Sequence, residues 1–269
     1  MNLEIEGKSY VLEPDTQDKY VVPGASVAYC SEMAEDFKPV VIDPQGHGTE
    51  PFPPEFMAYR IVVDSEKRGV CLLYEVYWKR QDCTWRDLNK DHDHDYEQIQ
   101  IHFDAQASRM QRVIVSSVGP VDCAGHGVEV YSGVTAPEAR RVNYSTSPKG
   151  PYPWGGSHGQ KWFTQVREMP LEMLVFSEMR PIVRLVSCYH VFAGMKRGRP
   201  VAMETELDID LRRLDRGLLE RWYYRHAKNR FGRDLSKPFE EPYVMYYPPP
   251  EDWASRVAYA LLWLFASPK

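Results

Sequence analysis

Apolar and polar residues alternate over several short stretches of this chain, and that alternation predicts strands. Positions 58–63 and 70–78 are rich in β-branched and aromatic residues, the types that suit a pleated surface. Shorter candidates at 20–24 and 39–42 flank them, and 95–103, 112–118 and 128–131 continue the series. A further strand is predicted over 182–192, with Val183, Leu185 and Tyr189 on one parity. Turn signals separate these stretches, notably Asp43-Pro44-Gln45-Gly46-His47-Gly48 and a long turn-rich loop at 137–156. Short strands punctuated in this way favour an antiparallel β-sandwich over alternating βαβ units.

Beyond Pro200 the pattern changes. Leu207, Leu211, Leu214, Leu218 and Trp222 recur at three- and four-residue spacing, which predicts an amphipathic helix. A second helix is predicted over 251–265, after Pro248-Pro249-Pro250 and with Asp252 as its cap. Neither an internal repeat nor a low-complexity tail is present. The expectation is therefore one domain over 1–269, mainly β (α+β). A sandwich core over about 20–195 would be flanked by helices, with a C-terminal helical extension over about 204–269 packed on it.

Composition narrows the function classes. A formal charge of -5 argues against a dedicated nucleic-acid binder. Arginines are dense between Lys196 and Arg233, but Glu204, Glu206, Asp208, Asp210, Asp215 and Glu220 are interspersed. An ion-paired helix face accounts for them better than a phosphate-binding patch. The five cysteines (Cys30, Cys71, Cys83, Cys123, Cys188) show no CxxC spacing and read as reduced thiols. Residues 1–6 have neither a basic nor an apolar leader region, so a cytoplasmic location is expected, or a secreted one if a leader has been removed. The longest apolar run, 257–266, has about half of the ~20 residues a membrane-spanning helix needs. Packing against the sandwich, or against a second copy in a homodimer, is its expected role.

The chemistry concentrates in Asp91-His92-Asp93-His94-Asp95-Tyr96-Glu97, where six of seven residues are Asp, His or Glu and can ligate a metal. Ile99, Ile101 and Phe103 follow in strict alternation, so strand geometry puts Asp95 and Glu97 on the apolar side with them. Buried carboxylates need protons, cationic partners or a metal. His92 has the opposite parity and would have to reach the same point from a loop ahead of the strand. The plain alternative is a solvated acidic loop.

Upstream stands Tyr74-Glu75-Val76-Tyr77-Trp78-Lys79-Arg80-Gln81-Asp82. Together the two segments resemble the necrosis- and ethylene-inducing-peptide-like proteins. There, a strand ending in a Lys-Asp element precedes the heptapeptide Gly-His-Arg-His-Asp-Trp-Glu. Both histidines, the aspartate and the glutamate match, Tyr96 replaces the tryptophan, and Asp91 and Asp93 depart from the glycine and arginine. Phe37-Lys38-Pro39-Val40, Gly46, Pro51-Phe52-Pro53-Pro54 and Cys123-Ala124-Gly125-His126-Gly127 are similar to further, weaker elements of that family. The resemblance spans about 20–130. It implies a cation-binding β-sandwich and, by position, a ligand set of Asp82, His92, Asp95 and Glu97. Three carboxylates and one imidazole suit Ca²⁺, Mg²⁺ or Mn²⁺, whereas zinc usually recruits more nitrogen or sulfur.

Two function classes follow. In the first, the cation coordinates a glycan, a lipid headgroup or another small anionic ligand, as the family's recognition of membrane glycolipid implies. In the second, the same cation serves a metal-dependent hydrolase or lyase, with His126 or His94 as acid/base. The binding module is preferred, because no nucleophile or acid/base pair is independently marked. His158 reads as a turn residue and His190 as a satisfied core histidine. No P-loop, dinucleotide fingerprint, nucleophile elbow or His-Glu-x-x-His element occurs.

Overall fold

The computed structural model describes residues 1–16, 25–44, 53–64, 69–81, 92–103, 109–118, 126–133, 166–186, 190, 192–196 and 204–218. Strands dominate them. β1 (Asn2–Ile5) and β2 (Lys8–Val11) form an N-terminal hairpin. Its two-residue turn has Glu6 at φ 50 and Gly7 at φ 78, the left-handed pair that matches strand twist in a tight hairpin. β3 (Glu13–Asp15) and β4 (Ala25–Tyr29) follow, then helix α1 (Ser31–Asp36) and β5 (Val40–Pro44).

The long strands are β6 (Phe56–Asp64), β7 (Val70–Gln81), β8 (His92–Phe103), β9 (Met110–Val118) and β10 (His126–Ser132). Shorter ones complete the set: β11 (Val166–Pro170), β12 (Phe176–Ser177), β13 (Arg180–Leu185), β14 (Phe192–Gly194), β15 (Glu204–Glu206) and β16 (Leu211–Arg213).

Among the described residues, nine strands make the large sheet, in the order β11-β10-β9-β8-β7-β6-β4-β3, with β16 also paired to β6. The smaller sheet runs β12-β13-β5-β15, with β14 beside β13. This is the expected mainly-β, sandwich-like arrangement, and most pairings are antiparallel. Three are parallel: β10 with β11, β13 with β5, and β16 with β6.

One face of the large sheet carries the principal core. Tyr59, Leu72, Tyr74, Ile99, Ile101 and Val113 lie in it, each at most 2% exposed. Phe37, just past α1, meets Phe103 edge-on at 5.1 Å, and the Tyr74 hydroxyl donates to the Ala34 carbonyl at 2.7 Å. Val41, Val183 and Phe192 of the smaller sheet belong to the same core, as do Ile5, Tyr10 and Leu12. The packed core thus begins at the N-terminal hairpin, not near residue 20 as the sequence pattern implied.

Two further expectations are corrected. The helix predicted from Leu207 to Leu218 is mostly extended chain. Glu204–Glu206 pairs with β5, Leu211–Arg213 pairs with β6, and only Arg216–Leu218 is helical. Residues 207–211 bury alternate positions, with Ile209 2% exposed between exposed Asp208 and Asp210. That is strand periodicity, and the open edges of β5 and β6 supply backbone partners that leucine spacing alone does not reveal. The strand predicted over 182–192 ends at Leu185 and reverses, so that Leu185 pairs with Phe192. His190, at φ 55, cannot continue a strand. The predicted strand at 20–24, the loop at 137–156, Trp222 and the helix at 251–265 lie outside the described residues. Among those described, no helix is long and apolar enough to cross a membrane.

Candidate functional site

β7 and β8 are each twelve residues long and pair along their length. Their register sets Trp78 opposite Asp95, Val76 opposite Glu97 and Tyr74 opposite Ile99. Side chains two apart on a strand share a face, so Asp95 and Glu97 lie on the core side, as the sequence pattern predicts. Asp95 is 8% exposed and Glu97 3%. Burying two carboxylates beside Trp78 and Val76 carries a large desolvation cost that partners must offset.

Asp95 draws its partner from far along the chain. His190 Nδ1 lies 2.7 Å from Asp95 Oδ2. The His190 ring also stacks flat on Trp78, with centroids 4.4 Å apart and planes 3° from parallel. Because Trp78 and Asp95 are cross-strand neighbours, one imidazole engages both. Phe192 borders the indole at 6.0 Å. His190 is therefore buried and satisfied, as expected, but its partner is one of the two strand carboxylates.

A third buried carboxylate escaped sequence reasoning. Glu129 of β10, 5% exposed, lies in the row that runs through Tyr74, Ile99 and Val115. Its Oε2 accepts from the Tyr131 hydroxyl at 2.6 Å and from the Gly194 backbone N–H at 3.1 Å. Lys196 Nζ stands 3.9 Å from Oε1. Any Cβ at Gly194 would collide with the Tyr131 ring, so only glycine lets β14 approach this closely. Sequence gave little warning, because Val130 and Tyr131 are both buried and a strand buried on both faces has no alternation to read.

The other face of the same strands is also buried, and it is polar. Gln98 Nε2 donates to Glu75 Oε1 at 3.0 Å, and Gln100 Nε2 donates to Gln98 Oε1 at 3.2 Å. His102 Nε2 lies 3.0 Å from Gln100 Oε1 and 3.7 Å from Cys71 Sγ. Burial, reinforced by the Arg112 charge, pushes His102 down to about 3, so the imidazole is neutral and donates to Gln100. Burial likewise pushes the Cys71 thiol well up, which leaves it protonated and unreactive. Nearby Arg60, fully buried, donates through Nη2 to the Leu214 carbonyl at 3.0 Å.

The remaining candidate residues are placed only in part. His92 is the first residue of β8, paired with Gln81, and not part of a loop ahead of the strand. His94 is also on β8, and both have the opposite parity to Asp95 and Glu97. His126 opens β10, paired with Val118. The side chains of His92, His94 and His126, and the whole of Asp82 and His158, lie outside the described residues. Among the described residues, no three His, Cys, Asp or Glu side chains gather as a ligand set. Cys30 and Cys71 are free thiols, and both are buried.

A separate cleft of about 430 Å³ lies between α1, β13 and the β15–β16 connection. Its cations are already engaged: Lys38 Nζ donates to the Ile209 carbonyl at 2.6 Å, and Arg180 pairs with Glu206 at 3.1 Å. None of its lining residues belongs to β7, β8 or β10. Compared with known proteins, the chain matches no family model, no curated protein and no solved structure.

Proposed function

We propose that this protein is a divalent-cation-binding β-sandwich, with the cation held where β8 carries Asp95 and Glu97. The observation that supports this reading is the burial of both carboxylates on one face, two residues apart, beside an apolar core. Their oxygens suit a hard ion, Ca²⁺, Mg²⁺ or Mn²⁺, and the two-residue spacing lets one strand supply both. Asp82 and His92 would complete the set implied by the family resemblance. When bound, the cation would supply positive charge and exchangeable coordination positions. A glycan diol, a lipid headgroup or another small anionic ligand would occupy those positions. The chain's own contribution is to fix the carboxylates and to exclude water from their inner side.

The test is metal content of the purified protein, with melting temperature measured after chelation and after adding back Ca²⁺, Mg²⁺ or Mn²⁺. An ion present at about 100 times its Kd stabilises the native state by about 2.7 kcal/mol, a rise of roughly 5–10 °C for a domain of this size. Asp95→Asn and Glu97→Gln should each abolish that rise. Stoichiometric metal in neither the wild type nor the supplemented protein, together with an unchanged melting temperature, would sink the reading. Turnover of a phosphoester or glycoside by the loaded protein would instead favour the hydrolase alternative.

A further inference from the structure

Within that cation-site reading, on which this inference rests, we infer that His190 is the positioning residue for the Asp95 carboxylate. Three observations converge on it. His190 is 1% exposed and has φ 55, a conformation that costs a non-glycine residue free energy and persists only where its surroundings fix it. Its Nδ1 bonds Asp95 Oδ2 at 2.7 Å. Its ring lies flat on Trp78, the residue directly across the strand pair from Asp95.

Stacking fixes the plane of the imidazole, and the hydrogen bond fixes its rotation within that plane. Together they hold one carboxylate oxygen at a set point. An ionised carboxylate can accept about four interactions on its two oxygens, so the His190 bond is compatible with coordination of a cation by the same group. Partners of this kind orient ligands and tune metal affinity, and losing one typically costs about 10- to 100-fold. The device is brought in by the reversal between β13 and β14, and its left-handed backbone turns the ring back onto the sheet. Burial keeps His190 away from any ligand of the cation, so its role is to hold Asp95 rather than to touch what binds.

Calorimetric titration of the chelated full-length protein with Ca²⁺, Mg²⁺ and Mn²⁺ in turn tests the inference. His190→Phe retains a ring to stack on Trp78 and removes the Nδ1 bond; His190→Asn retains a donor near the Nδ1 position. With the ion that the wild type binds most tightly, His190→Phe should weaken affinity about 10- to 100-fold, and His190→Asn should recover most of the loss. A purely structural histidine would lower the melting temperature of the chelated protein and leave the affinity of the folded protein unchanged, which would overturn the inference.

Should His190→Phe fail to fold, the imidazole ¹⁵N resonances of the wild type provide the same decision. The His190 signals should shift when the ion is added, and unchanged signals in a protein that binds the ion would overturn the role. A wild type that binds none of the three ions removes the site reading, and this inference with it. Binding by the wild type with equal affinity in His190→Phe removes only the inference.

Discussion

The two faces of the β7–β8 pair are both buried and both carry polar groups, yet they satisfy them differently. On one face Glu75, Gln98, Gln100 and His102 bond one another in sequence, and all four come from the two strands themselves. On the other, Asp95 is met by His190, and on the same face of the sheet Glu129 of β10 is met by Tyr131, Gly194 and Lys196, so that His190, Gly194 and Lys196 all arrive from later in the chain. The contrast separates two uses of buried polarity. A ladder that runs along one strand pair fixes register and specifies a core. Carboxylates that depend on distant elements are sensitive to the whole fold, and that is the arrangement expected of a site assembled for binding.

Substitutions can break this contrast. The largest effect should come from Trp78, fully buried and shared by the core and by His190. Trp78→Ala should cost about 3–5 kcal/mol through lost contacts and the cavity left behind. Trp78→Phe should cost much less: it preserves a ring for His190 and discards an indole N–H that finds no hydrogen-bond acceptor among the described residues. Denaturant unfolding of both variants measures the difference. Equal losses would mean that the indole N–H has a partner of its own.

Next in size is Gln98→Leu, which breaks the ladder in its middle. It takes a donor from Glu75 and an acceptor from Gln100, a cost of about 2–4 kcal/mol for stranded buried polar groups. This loss should be the same with and without a cation, whereas Asp95→Asn and Glu97→Gln should change the cation response. A Gln98→Leu protein whose melting temperature no longer answers to the cation would show that the two faces are coupled, and the separation drawn between them would fail.

Much of the scaffold was legible in the sequence, because long strands advertise themselves. The stretches at 58–63, 70–78, 95–103 and 112–118 all lie within β6 to β9, and the alternation of Asp95 and Glu97 with Ile99 and Ile101 gave their face correctly. What failed was structure that depends on a distant partner. Residues 204–206 and 211–213 became strands because β5 and β6 offered open edges, which no local pattern encodes. His190 met Asp95 only because the chain reverses after Leu185. Glu129 was hidden for another reason: both faces of its strand are buried, and periodicity then carries no orientation signal. The N-terminal hairpin is short, and its strands expose about half of their positions, so its core residues Ile5 and Tyr10 did not stand out.

The smallest effect per step, and the one that most sharpens the comparison, is a titration. His102 is held at about 3 by burial first and by Arg112 second, against about 6.5 for an exposed histidine. Between those values the unfolded chain binds a proton that the folded chain refuses. Stability is therefore full above about pH 6.5 and falls as the pH drops, by up to about 1.4 kcal/mol per pH unit, levelling off below about pH 3. His102→Gln keeps a donor for Gln100 but cannot titrate in this range, so its stability between pH 6 and pH 4 should decline less steeply. A slope as steep as the wild type's would assign the acid sensitivity elsewhere. Repeating the titration with saturating cation should leave the His102 contribution unchanged, because the ladder belongs to the opposite face. Acid would then act on one face and the cation on the other, through the same two strands.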